Sequence, residues 1–439
     1  MQMKKLFTSL LLIPFLLAAT QKLHAQETTP PPTDEDTIGQ AIRKLQGDVA
    51  VLKRIKFSGY VQPQLQFIDS AGAPSFEGGD FPSGVNKRFR VRRAEFKTMY
   101  DNGKTQIVAN IDITQSGVGI KDAYGRFTEQ KLQAFSLTAG IFNRPFGWEC
   151  PTSGSIIESP DRSRIVQTLF PGERDLGMQL TFQMPVSSKL HPLKIEGGMF
   201  NGNGNSSTQD YDFQKDFIGH ITWISASKNE NITYGIGASY YSGGIVNSNK
   251  FVWNKIGVID TTGKIGWMVD STSTNKGQVS ARQYIGFDAQ FSINWMIGIT
   301  TIRGEFISGQ QPGSSSSSKS PDKETATPPA ADTYVRQFSG GNVYFAQNIW
   351  TTKWQVLVKY DWYDPNTQVS GTQIGKAGSK LTKADIKYTT IGLGLIYHLD
   401  NNVKIVAYYD MVTNESTSLG GYTKDILDNV FTLRLQYKF

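Results

Sequence analysis

From Phe57 to the last residue, apolar and polar positions alternate with a period of two. Phe57, Gly59, Val61, Leu65 and Phe67 alternate with Ser58, Tyr60, Gln62, Gln64 and Gln66. The same phase runs through 107–113, 176–184, 285–293, 354–362 and 403–411. Such a period predicts β-strands. One apolar face per strand also suits a soluble sandwich. Here the opposite face carries Gln, Asn, Asp, Lys and Arg, in strands of about ten residues, which fits a barrel with lipid outside and water within.

The connections sharpen this. Short turns fall at 101–104, 129–133, 187–191, 227–231, 294, 351–352 and 400–401. Long loops fall at 69–86, 143–174, 201–214, 244–280, 309–340, 364–385 and 414–426, with one short exception at 115–118. Short periplasmic turns and long external loops are the outer-membrane rule, and counting through the alternation gives about 16 strands with both ends in the periplasm. The expected fold is all-β: a transmembrane antiparallel β-barrel preceded by a short periplasmic helix or coiled coil.

Ahead of the barrel, Ile38, Ile42, Leu45, Val49 and Leu52 are spaced alternately by four and three, as a helical seam requires. Two readings stand: one amphipathic helix leaning on the barrel, or a short bundle tying subunits together. Residues 26–36 are Thr-, Pro- and acid-rich, a composition expected of a disordered leader. Residues 1–25 read as a secretory signal: Lys4 and Lys5, an apolar run to Ala19, then Leu23-His24-Ala25. The expected division is therefore 1–25 signal, 26–56 periplasmic leader with helix, and 57–439 barrel in the outer membrane of a Gram-negative bacterium.

The last strand alternates Phe431, Leu433, Leu435, Tyr437 and Phe439 with Thr432, Arg434, Gln436 and Lys438, and the sequence ends on the aromatic. Closing a ring removes the exposed edge. A terminal strand of this kind resembles the signal read by the barrel-assembly machinery. Aromatics flank the turns: Phe127 and Phe135, Trp223 and Tyr234, Trp350 and Trp354. They suit a girdle at headgroup level.

Charge and chemistry exclude other classes. Net charge is +7, and +4 once Lys4, Lys5 and Lys22 leave with the signal. No basic cluster interleaved with aromatics points to nucleic acid. Cys150 is the only cysteine, so no internal disulfide framework exists. Of four histidines, His24 lies in the signal, His191 in a turn, and His220 and His398 on polar faces without metal-ligand spacing. No metal or cofactor is implied. The glycine pairs 197–198 and 243–244 read as strand bulges or loop hinges.

Several segments resemble the phosphate-selective porin O and P family. They are Phe89-Arg90-Val91-Arg92-Arg93-Ala94-Glu95-Phe96, Gly140-Ile141-Phe142-Asn143-Arg144-Pro145-Phe146-Gly147, Phe170-Pro171-Gly172-Glu173-Arg174-Asp175-Leu176-Gly177, Tyr360-Asp361-Trp362-Tyr363-Asp364-Pro365-Asn366 and the final strand. The resemblance implies a homotrimer of 16-stranded barrels with positive side chains along the channel.

Arg88, Arg90, Arg92 and Arg93 form the densest basic group on any expected strand. Phe89 and Val91 facing lipid would turn Arg88, Arg90 and Arg92 inward, and a bulge at the Arg92-Arg93 doublet would bring both to the lumen. Guanidinium forks match phosphate oxygens, and rings of Arg or Lys select anions. The alternative is a solvated wall that only avoids lipid. Arg126, Lys359, Lys404, Arg434 and Lys438 are further inward cations, set against Asp112, Asp122, Asp288, Asp361 and Asp410. The 143–174 loop carries Ile156, Ile157, Ile165, Val166, Leu169 and Phe170, which suit packing against the inner wall. The stretch 311–331, rich in Ser and Pro, is expected to be an external loop.

The function expected is passive diffusion of small hydrophilic solutes, anions such as phosphate among them. The partners expected are outer-membrane lipid, anionic solutes and two further copies of the chain. A barrel enzyme acting on envelope lipids and a structural or adhesive barrel are the rival classes. Catalysis lacks a local motif.

Overall fold

The computed structural model describes residues 34–204, 210, 212–320 and 331–439, so the expected signal and residues 26–33 of the leader lie outside the described residues. The chain forms two compact units, divided between Lys53 and Arg54.

The first unit contains helix α1 (Asp34–Leu52). Its Ile42, Leu45, Val49 and Leu52 are exposed along one seam. The heptad spacing thus forms a helix with an apolar stripe along one side.

The second unit runs through β1 (Ile55–Ile68), β2 (Lys87–Asp101), β3 (Thr105–Thr114), β4 (Gly117–Thr128), β5 (Phe135–Asn143), β6 (Arg174–Gln183), β7 (Leu193–Phe200), β8 (Asp216–Ala226) and β9 (Ile232–Val246). It continues with β10 (Val252–Val258), β11 (Ile265–Asp270), β12 (Val279–Trp295), β13 (Gly298–Gly313), β14 (Thr333–Asn348), β15 (Trp354–Asp364), β16 (Tyr388–His398), β17 (Val403–Asn414) and β18 (Val430–Lys438). A short helix α2 (Arg164–Leu169) interrupts the β5–β6 loop.

Sixteen of these described strands make a closed antiparallel ring. Strands β10 and β11 are a hairpin inside the loop after β9, and the ring passes directly from β9 to β12, with Tyr241 opposite Tyr284. The ring closes where β1 meets β18, Leu65 opposite Leu433. Gly59 and Phe439 exchange two backbone hydrogen bonds of 3.0 Å, so the final aromatic is part of the closure.

The faces are those of a membrane barrel. In β6, Leu176, Met178 and Leu180 are exposed, whereas Gln179 and Thr181 are buried. Phe57 and Phe89 on the outer face are 72% and 83% exposed. A soluble sandwich would hide these residues, and only lipid makes such a belt favourable. Among the described residues no helix is long and apolar enough to cross a membrane.

Some sequence expectations shift. The expected turn at Asn294 lies at 296–297, because β12 continues through Trp295. The expected loop 309–340 is shorter: Gln310 to Gly313 extend β13, and β14 begins at Thr333. At this end of β13 Gln311, Pro312 and Gly313 are buried in succession, so the alternation that marks strands is lost. Residues 314–320 are also not a free external loop: Ser314 and Ser320 are buried, with Ser314 O accepting from Arg336 and Ser320 Oγ from Arg282. The glycine pairs are not bulges. Both run in unbroken register, and a Cβ on Gly244 would strike Ser280 O and Val279 while one on Gly198 would strike Met178 O. They are sites of close packing.

Candidate channel and its constriction

The 144–173 loop turns into the barrel, and its own sequence fastens it there. Arg144 is fully buried at the neck and donates to the carbonyls of Pro171 (3.2 Å) and Glu173 (3.4 Å). Gly147 adopts φ +59°, and a Cβ there would collide with the Glu305 carboxylate. That close approach lets Glu305 accept from the amides of Trp148 (3.1 Å) and Glu149 (3.3 Å). Glu149 accepts from Tyr344 Oη (2.6 Å) and the Ser163 amide (2.9 Å). Ile165, Val166, Leu169 and Phe170 bury against Tyr241, Tyr284, Phe338 and Tyr363 of the wall. Ile156, expected in the same packing, instead is 55% exposed and faces a cavity.

Inside the ring this loop presents Asp161 to three arginines. Arg92 reaches it at 2.6 Å, Arg93 at 2.7 Å and Arg434 at 3.7 Å. Burial alone would raise the Asp161 carboxyl, but Arg92, Arg93 and Arg434 hold it well below the usual carboxylate range. Glu173 is similar: burial opposes ionisation, and Arg162, Lys121 and Arg174 overcome it. Lys359 pairs with Asp361 at 3.1 Å and donates to Asp161 O at 3.4 Å. Asp410 and Glu77 complete this layer, and burial pushes the Glu77 carboxyl up to about 7. Arg92, Arg93 and Arg434 therefore face Asp161, and Lys359 faces Asp361, in one ion-paired layer.

The bulge has a covalent cause. Pro63 has no N–H to donate, and the β1–β2 register slips there: Pro63 opposes Val91, Gln62 opposes Arg93, and Arg92 is the extra residue. Arg88 and Arg90 are placed differently. Arg88 donates to Gly79 O (2.7 Å) and Asp80 O (2.8 Å) and stacks on Phe81 at 3.8 Å. Arg90 donates to Gly78 O. Both hold the first external loop, 69–86, against the inner wall.

Two sets of cavities lie on opposite sides of the inward loop. The periplasmic one is about 470 Å³, lined by Lys97, Asp122, Arg126, Glu196, Asp288 and Arg303 among others. Lys194–Glu196 (2.8 Å), His220–Asp288 (3.0 Å) and Arg303–Glu158 (3.0 Å) pair most of its charge. Lys97 and Arg126 have no acidic partner among the described residues; Arg126 donates to Thr138 Oγ1 at 3.1 Å. A smaller cavity of about 280 Å³ at the periplasmic mouth contains Lys404, which donates to Ser155 O at 3.4 Å. The external cavity is about 230 Å³ and shares no lining residue with the periplasmic ones.

Of the arginines and lysines expected to line the lumen, the structure gathers Arg92, Arg93 and Lys359 around Asp161. It assigns Arg88 and Arg90 to loop contacts, and leaves Arg126 and Lys404 at periplasmic cavities. The sequence reading missed Lys97 and Arg303, although both lie on inward phases. No described group of His, Cys, Asp and Glu is arranged to hold a metal ion.

No family model matches this chain, and no curated protein matches it. Solved structures do. OprB of Pseudomonas putida superimposes with a TM-score of 0.52 at 9% identity, covering 92% of this chain and 97% of that one. OmpF of Salmonella typhi, solved with daunomycin, gives 0.51 at 11% identity, covering 88% and 97%. Identity this low shows the fold alone, and the fold is that of outer-membrane porins. A closed barrel with an apolar outer belt places this chain in the outer membrane of a Gram-negative cell.

Proposed function

We propose that this barrel is a porin that passes small hydrophilic solutes, preferring anions, by passive diffusion. The observation that carries the reading is the inner wall. It is polar or charged on strand after strand, and it holds cavities on both sides of one inward loop. A wall of this kind replaces part of a solute's hydration without binding it tightly, as conduction requires.

Cation excess supports the preference for anions. Lys97 and Arg126 stand without acidic partners among the described residues, and Arg88 and Arg90 add charge beyond the ion-paired layer around Asp161. In this reading Arg92, Arg93, Lys359 and Lys404 contribute to the field, while Asp161 masks part of it. Phosphate, which the sequence resemblance suggests, belongs to the same class, and guanidinium forks suit its oxygens. The exposed seam of α1 fits assembly of three copies, and the closing strand that ends at Phe439 fits recognition by the assembly machinery.

Reversal potential in a planar bilayer across a potassium chloride gradient tests this reading. An anion-selective channel shifts the potential toward that of chloride, and phosphate competition lowers the current. A barrel that inserts and folds but carries no current would leave the enzymatic or adhesive alternative.

A further inference from the structure

Among the described residues, Arg164 is the buried guanidinium whose side chain the fold leaves without a hydrogen-bonding partner. Arg93, Arg162, Arg174 and Arg282 each reach a carboxylate, and Arg88 and Arg144 donate to backbone carbonyls. The Arg164 side chain makes neither contact among the described residues, and its Nε is buried without a hydrogen-bond partner. It is only 8% exposed. Two rings hold it instead, Tyr388 at 3.8 Å and Phe76 at 4.2 Å from Cζ. Cation–π contacts cover the flat faces of a guanidinium and leave its N–H edge for a ligand.

That edge adjoins space. Arg164 lines the external cavity of about 230 Å³ and the small void beside it, and Asp428 lines both. Asp428 is 3% exposed, and its Oδ1 is buried without a partner. Lys319 and Lys383 line the same cavity with no acidic partner among the described residues. We propose that Arg164 and Asp428 form a subsite, on the external side of the constriction, for a small solute bearing an oxyanion. The inference rests on the channel reading and names where its solute first docks.

The chemistry requires both groups. The arginine edge donates two parallel hydrogen bonds to a carboxylate, phosphate or sulfate group. A protonated Asp428 adds a third donor, whereas an ionised one repels the anion. Burial pushes Asp428 up to about 7, with Asp425 and Asp69 raising it further and Arg164 opposing them. Glu77 and Asp80 of the first loop, Asp361 of β15, Tyr388 of β16 and Tyr422 also line the two cavities. Protonation at neutral pH therefore gates affinity, and oxyanion binding weakens as pH rises through about 7.

Sulfate is the probe, because its charge is constant across neutral pH. Its binding to the whole detergent-solubilised barrel is measured by calorimetry, and its block of chloride current by addition to the external side. Arg164→Gln is expected to weaken both by about tenfold or more, the scale of a charge-assisted hydrogen-bonded pair. Asp428→Asn is expected to keep binding and to flatten its pH dependence to the part set by Glu77 in the adjoining void, and it leaves the inward loop untouched. Equal sulfate affinity in the parent and Arg164→Gln overturns the subsite. So does ethylammonium binding in place of sulfate, which would make Asp428 the ligand group. Absence of current with sulfate binding intact would refute the channel reading and leave the subsite standing.

Discussion

Arg93 and Asp161 meet at 2.7 Å inside the barrel although 68 residues separate them in the chain. The bulge at Pro63 turns Arg93 inward, and the loop after β5 carries Asp161 back to it. Two features that look unrelated in sequence thus form one contact, and it sits where the lumen is divided.

Removing the carboxylate charge tests what that contact does. Asp161→Asn removes the carboxylate that Arg92, Arg93 and Arg434 share. Breaking one side of a buried ion pair costs about 3–5 kcal/mol. The expected outcome is a loop that leaves its seat, with higher conductance, stronger anion preference and a lower temperature for the loss of the folded band on electrophoresis. Unchanged conductance and reversal potential would show that the loop does not limit the path.

The pH response of the loop follows from the direction of the shifts. Asp161 and Glu173 are held below the usual carboxylate range in the folded protein. Groups depressed in this way contribute stability that is fully present above the unfolded value, roughly 4, and lost as pH falls below it. Loop seating should therefore be constant from neutral pH down to about 4, then weaken. Tryptophan fluorescence and conductance recorded together would check it, since Trp148 rides on the loop. A transition centred near pH 6 would assign control to other groups.

Cys150 reports the same motion. It is 1% exposed, it lies 3.7 Å from Arg144 O, and burial pushes its thiol up to about 12. Thiolate is the reactive form, so maleimide should label the folded barrel very slowly at neutral pH. Asp161→Asn should speed labelling by at least about tenfold if the loop unseats. Fast labelling of the parent protein would mean that the loop opens freely.

Much of this was legible in sequence where lipid imposes a rule. The alternation of Leu176, Met178 and Leu180 with Gln179 and Thr181 reads out directly, because one face meets hydrocarbon and the other does not. Gln310 to Gly313 did not read as strand, since Gln311, Pro312 and Gly313 are buried in succession and carry no apolar alternation. The Arg88–Arg93 group was visible as charge, but its division between loop carbonyls and Asp161 depends on the path of two loops, and sequence spacing does not encode that path. Arg164 was visible only as one more loop arginine. Its lack of a hydrogen-bonding partner appears once Phe76 and Tyr388 close on it from elsewhere in the chain.

The helix before the barrel offers a test of assembly. Ile42, Leu45, Val49 and Leu52 lie exposed on α1, and so short a heptad run is marginal as a lone helix in water. A cysteine at Leu45 should crosslink copies into dimers and trimers under mild oxidation in intact membranes. The buried Cys150 provides a weak background for the readout. Monomer bands alone would indicate that the seam packs within its own chain.

The anion preference has its clearest test in the periplasmic cavity. Lys97 and Arg126 line it without an acidic partner among the described residues, whereas Lys194, His220 and Arg303 each face a carboxylate there or beside it. Unpaired charge on a low-dielectric wall dominates the field felt by a passing ion. The double variant Lys97→Gln with Arg126→Gln should lower the anion-to-cation permeability ratio severalfold while the barrel melts at its usual temperature, because neither side chain holds a salt bridge. The comparison belongs at low salt, since screening extends over ~30 Å at 0.01 M but only ~3 Å at 1 M. Arg90→Gln with Arg92→Gln should behave otherwise. Arg90 anchors the first loop through Gly78 O, and Arg92 holds Asp161, so that pair should change stability and conductance along with selectivity. If the Lys97/Arg126 variant keeps its reversal potential at low salt, the selectivity lies with the arginines of β2, and the periplasmic cavity is only a wide exit.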